Sequence, residues 1–141
     1  MIIRPRAVCQ TTIPDDGYDD ENGQFIFAGR TITQVLADGL RARDREVTEP
    51  EFLGDHGWGC DAISPHNNIE VVVAVIDKIY VTVTYSPNIG DRLLGRKDPL
   101  YREILRDVDA ILRSDARFSD VKWYANHHSG AQPADHPIGD I

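Results

Sequence analysis

Ile69 to Tyr85 reads Ile-Glu-Val-Val-Val-Ala-Val-Ile-Asp-Lys-Ile-Tyr-Val-Thr-Val-Thr-Tyr and is the most apolar stretch of the chain. Branched and aromatic side chains suit a pleated surface, so two antiparallel strands meeting at Asp77-Lys78 are expected. With those two residues as the loop, Ile76 faces Ile79, Ala74 faces Val81 and Val72 faces Val83. One side of the ribbon is then wholly apolar. The other side pairs Val75 with Tyr80, Val73 with Thr82 and Val71 with Thr84, a mixed surface suited to partial cover. Asp-Lys is not the Asn-Gly or Asp-Gly that so tight a loop prefers. A bulge or a longer loop would exchange the buried face of one strand.

A chain of 141 residues with 41% hydrophobic and 27% charged residues fits an ordinary globular domain rather than a disordered segment. No apolar run approaches the roughly 18 to 20 residues that cross a membrane. Met-Ile-Ile-Arg-Pro-Arg at the amino terminus lacks a secretory apolar core, so a cytoplasmic protein is expected. Cys9 and Cys60 are the two cysteines, expected as free thiols in that compartment. A net charge of −8 argues against nucleic-acid binding and suits a basic protein partner.

Outward from the hairpin, Trp58 to Ile63 reads as a strand beside it, with Trp58, Cys60 and Ala62 on one face. Val47 to Leu53, with Pro50 inside, fits an edge strand or a loop. Ile32, Val35, Leu36 and Leu40 fall at helical spacing, predicting a helix over 31–43 capped by Thr31 and weakened by Gly39. Phe25, Ile26 and Phe27 read as a short strand or lead-in anchored on the core. Residues 1–10 admit a short strand, although Pro5 and the arginines around it argue against one. Asp98-Pro99 starts a second helix reaching about Ser114. Its buried stripe is Leu100, Ile104, Leu105, Val108, Ile111 and Leu112, and Asp98–Arg102 and Asp109–Arg113 pair on its outer face. Val121 to Tyr124 is a last strand with Val121 and Trp123 inward. The expected fold is α+β: an antiparallel sheet of about four to six strands with two helices on one face. Residues 1–124 form a single domain with an acidic loop at 11–23, and 125–141 are a polar tail unless they dock.

No motif specifies a chemistry. The loop carries Asp15, Asp16, Asp19, Asp20 and Glu21 without a basic residue, but the spacing does not match an EF-hand, and a solvated loop is the simpler reading. His127 and His128, with Asp135 and His136, could hold zinc only if the tail folded back, so no metal or cofactor is expected. His56 near Cys60, with Asp55 or Asp61, resembles a thiol nucleophile and its base; Cys60 faces the core, where an inert thiol is usual. Glu46, Glu49, Glu51, Asp55 and Asp61 crowd one region without any sign of a catalytic cleft. The chain is acidic from Asp15 to Asp61, whereas Arg92, Arg96, Lys97, Arg102, Arg106, Arg113 and Arg117 lie in and around the second helix.

In size, acidity and layout the chain resembles small bacterial toxin-immunity proteins. Glu49-Pro50 leading to Gly57-Trp58, the apolar hairpin, and Asp115-Ala116-Arg117-Phe118 leading to Val121-Lys122-Trp123-Tyr124 carry the likeness, which is architectural. It implies a stoichiometric inhibitor with no turnover. The first expectation is therefore a non-enzymatic protein that binds a basic partner. Its contact residues would be Asp15, Asp16, Asp19, Asp20, Glu21, Glu49, Glu51, Asp55, Tyr80 and Tyr124, with tyrosine as anchor. A homodimer formed through the sheet is the second expectation, and a small hydrolase using His56 and Cys60 the third.

Overall fold

The computed structural model describes residues 2–65, 68–85, 99–125 and 132–139. In chain order its strands are Ile2–Ile3 (β1), Arg6–Thr11 (β2), Tyr18–Asp19 (β3), Phe25–Ile26 (β4), Glu51–Phe52 (β5), Trp58–Ala62 (β6), Ile69–Val75 (β7), Ile79–Tyr85 (β8), Phe118–Tyr124 (β9) and Ile138–Gly139 (β10). The helices are Arg30–Arg41 (α1) and Pro99–Ser114 (α2). Among these residues an antiparallel sheet of six strands runs in the order β5-β6-β7-β8-β2-β9. The fold is α+β, as expected, with α1 and α2 packed on one face of the sheet.

The central hairpin forms, but in a register one residue away from the tight one. Val75 pairs with Ile79, Val73 with Val81 and Val71 with Val83. Residues 76–78 make a loop of three, closed by a bond from the Ile76 amide to the Lys78 carbonyl of 3.0 Å. A favoured two-residue loop needs positive φ at its central positions, and neither Asp77 nor Lys78 has it. The extra residue lets the chain turn with ordinary backbone angles. The shift exchanges the faces of β7 alone. Val71 and Val73 go inward in place of Val72 and Ala74, and Ile76 stands 76% exposed at the tip.

Residues 1–10 supply an interior strand rather than a doubtful one. Ala7 and Cys9 on β2 are buried between β8 and β9. Pro5 precedes the strand, where its missing N–H costs no ladder bond, and its carbonyl accepts from the Val83 amide. On β9, Asp120 takes φ 54 where the register with β2 slips. That bulge lets Phe118, Val121 and Trp123 all face the core. The 46–52 segment lies at the edge beside β6, through β5 and a bridge from Val47 to Ala62.

The α2 stripe is buried as expected except for Leu100, which is half-buried; Asp98 lies outside the described residues. Asp109 is a correction. It pairs with Arg113 but is 7% exposed, because its carboxylate turns in towards Trp123. On α1, Gly39 is the point of close approach to α2: a Cβ there would sit 2.7 Å from the Ile111 side chain. At Gly57, φ is +96 and a Cβ would meet the Val73 carbonyl oxygen at 2.2 Å, so only glycine fits the entry to β6.

The polar stretch after Tyr124 docks over residues 132–139. Ala134 exchanges backbone bonds with Trp123, and β10 pairs with β1. His136 Nδ1 reaches Asp109 Oδ2 at 2.8 Å.

Candidate functional site

The acidic loop folds as a small hairpin, and its carboxylates divide into two kinds. Asp15 accepts from the Gly17 amide at 2.8 Å. Asp20 accepts from the Asn22 and Gln24 amides at 2.9 and 2.8 Å, closing the turn between β3 and β4. Asp16 reaches furthest. Its two oxygens take the amides of Gly29 and Thr31 at 2.8 and 2.9 Å and the Thr31 hydroxyl at 2.8 Å. It therefore caps α1 in place of Thr31, which lies within the first turn. Burial raises the carboxyl pKa of Asp16, but those three donors outweigh it and hold the pKa below the usual value. Asp19 and Glu21 make no hydrogen bond or ion pair among the described residues.

The β4 strand alternates. Ile26 is buried at 8%, whereas Phe25 and Phe27 are 51% and 40% exposed, so these two are not core anchors. Being two apart they share a face with each other and, through the Phe25 pairing, with Asp19. Their rings meet edge to face with centroids 5.2 Å apart. Tyr18, opposite Ile26, is also half exposed. The base is held by Trp58, whose Nε1 donates to the Phe27 carbonyl at 2.8 Å. Between the segment that leads into this hairpin and the β7–β8 tip lies a groove of about 390 Å³, with Ile13, Pro14, Asp15, Ile76 and Asp77 on its walls.

The other expected contact residues do not join this patch. Glu49 pairs with Arg41 at 3.0 Å. Glu51 sits on the edge strand β5 and Asp55 on the 3-10 turn Gly54–His56. Tyr80 and Tyr124 face away from the helices, on either side of Arg6. Glu51 and Tyr124 occupy opposite edges of the sheet, on the order of 24 Å apart at five strand spacings. Of the basic residues in and after α2, Arg113 pairs with Asp109 and Arg117 with Asp115; Arg92, Arg96 and Lys97 lie outside the described residues.

Cys9 and Cys60 are both free and buried, and burial pushes each thiol up to about 12. His56 lines a concavity with Val72 and Tyr80 on the face of the sheet opposite the one Cys60 enters. Among the described residues no group of three or more His, Cys, Asp or Glu side chains is placed to hold a metal ion. His127 and His128 lie outside them. None of the described helices is long and apolar enough to cross a membrane.

The missed feature is the aromatic pair. Its signal was the alternation in Phe25-Ile26-Phe27, which sends one side chain inward only if its two neighbours go outward. Comparison of the chain with protein-family models, with curated proteins and with solved structures finds no match in any of the three.

Proposed function

We propose that this protein is a non-enzymatic, stoichiometric binding protein of the inhibitor or immunity type. It docks a basic protein partner on the β3–β4 hairpin. The observation that carries the reading is the pair Phe25 and Phe27, exposed and in mutual contact on the face shared with Asp19, whose carboxylate, like that of Glu21 in the adjoining turn, is unpaired among the described residues. Exposed aromatic rings on a braced backbone are the usual anchors of an interface, since they bury large area at small entropy cost. The acidic rim would steer a basic surface towards them and raise its on-rate.

Self-association through the sheet draws less support. The β5 edge is two residues long, and the outer side of β9 is bridged at Trp123 by Ala134. Short or covered edges disfavour strand-to-strand pairing.

The test is a pull-down from native host lysate, with products of neighbouring genes co-expressed, at low and high salt. Wild type is expected to hold one basic protein at equal stoichiometry. The pair Phe25→Ser with Phe27→Ser should lose it at any salt, and Asp19→Asn with Glu21→Gln should weaken it mainly at low salt. Recovery of the protein alone as a salt-resistant dimer, or capture untouched by both pairs, would overturn the reading.

A further inference from the structure

The face of the sheet opposite the helices holds a second feature, independent of the hairpin. A concavity of about 580 Å³ lies there, within the range of small-molecule sites. Its floor is crossed by the row Val72, Thr82 and Arg6, which are successive cross-strand partners. The 3-10 turn before β6 supplies one wall through Leu53, Asp55 and His56.

Arg6 is the unusual group. Its guanidinium lies 4.9 Å over the Tyr80 ring. Its Nε is buried and has no hydrogen-bond partner among the described residues. Arg6 forms no ion pair among the described residues, in a chain with 23 acidic residues against 15 basic ones. The fold explains why. Of the acidic strand residues on the same face, Glu70 on β7, Asp61 on β6 and Glu51 on β5, the nearest is Glu70, two strands and two residues away, about 12 Å between Cα atoms by strand geometry. A buried donor without an acceptor is costly, and a guanidinium already stacked on an aromatic ring is preorganised for a bidentate carboxylate.

We propose that this concavity binds a small monocarboxylate with an apolar body. The carboxylate sits on Arg6, between Thr82 and Tyr80, and the apolar body lies on Leu53, Val72 and Ala74. Glu70 and Asp55 border the same space and oppose a second negative charge, so a phosphate dianion is disfavoured.

The test is an NMR titration of the ¹⁵N-labelled full chain, following the Arg6 Nε–Hε signal with benzoate, hexanoate, inorganic phosphate and chloride at matched ionic strength. Benzoate and hexanoate should give a saturable shift, and phosphate and chloride none. Arg6→Gln should weaken benzoate at least about tenfold, the loss expected for a charge-assisted bond, read from the amides of Val72 and Tyr80. Glu70→Gln should tighten it about two- to threefold by relieving repulsion; it serves as the deciding variant if Arg6→Gln does not fold. Equal shifts from chloride or phosphate, unchanged affinity in Arg6→Gln, or unchanged affinity in Glu70→Gln would overturn the proposal. None of these outcomes bears on the hairpin, so the two proposals stand or fall separately.

Discussion

At the α2–β9 corner a carboxylate is buried; on the β3–β4 hairpin two phenylalanines are exposed. Asp109 Oδ1 accepts from Arg113 Nε and Trp123 Nε1, each at 2.8 Å, and Oδ2 meets His136 Nδ1 at 2.8 Å. Arg113 also donates to the carbonyls of Val121 and Asp135. The Trp123 indole, the Arg113 Nε and Nη2 and the His136 ring are all answered within the chain, and the C-terminal segment is fastened by them. The hairpin differs. Its backbone is just as well braced, by Asp16, Asp20 and Trp58, but the side chains of Phe25, Phe27, Asp19 and Glu21 are left outward. A buried charge whose hydrogen bonds are all made is a structural device. Exposed aromatic rings on a held backbone have no such account among the described residues, and the partner proposed above would supply one.

The comparison can be broken most decisively at Asp109. Asp109→Ala leaves the Trp123 indole N–H buried without an acceptor and frees Arg113 and His136, and should cost about 3 kcal/mol. Urea denaturation read by Trp fluorescence checks it, and a cost under about 1 kcal/mol would mean that the corner does not depend on this carboxylate. The hairpin register gives the next effect. Val73→Ala, at a fully buried site, should cost about 2 kcal/mol, and Val72→Ala on the open face under about 1 kcal/mol. The reverse order would restore the tight-loop register.

The two kinds of carboxylate in the acidic loop are separable in the same way. Asp16→Asn should cost about 1 kcal/mol, because an NH2 group replaces the oxygen that accepts from the Thr31 amide and hydroxyl. Its folded pKa is depressed, so the stability it contributes is fully present above its unfolded value of about 4 and is lost as pH falls through the folded value. The variant should therefore show a shallower loss of stability below about pH 4 than wild type. Asp19→Asn and Glu21→Gln should change stability by less than about 0.5 kcal/mol. The smallest effect falls to Phe25→Ser, also within about 0.5 kcal/mol by thermal melting, although it should weaken binding of the proposed partner. A large loss of stability there would make the ring a structural group and sink the hairpin reading.

Much of the architecture is written locally. Pro99 and the apolar stripe from Ile104 to Leu112 determine α2, and the branched residues of 69–85 determine two paired strands. The phase of β7 is not written, because Val71 to Val75 is apolar on both faces and a period of two then carries no direction. Burial of Val71 and Val73 beneath the helices chooses it. The acidic residues show the same division. Composition alone determines that the loop is negative, but which carboxylates face a partner follows from which amides lie within reach. Asp16 meets Gly29 across 13 residues, and Asp109 meets His136 across 27. Periodicity, turn residues and charge act over a few neighbours and are legible in order along the chain. Register, capping by a distant carboxylate, and the choice of which aromatic side chains stay outside depend on contacts that exist only once the chain has closed on itself.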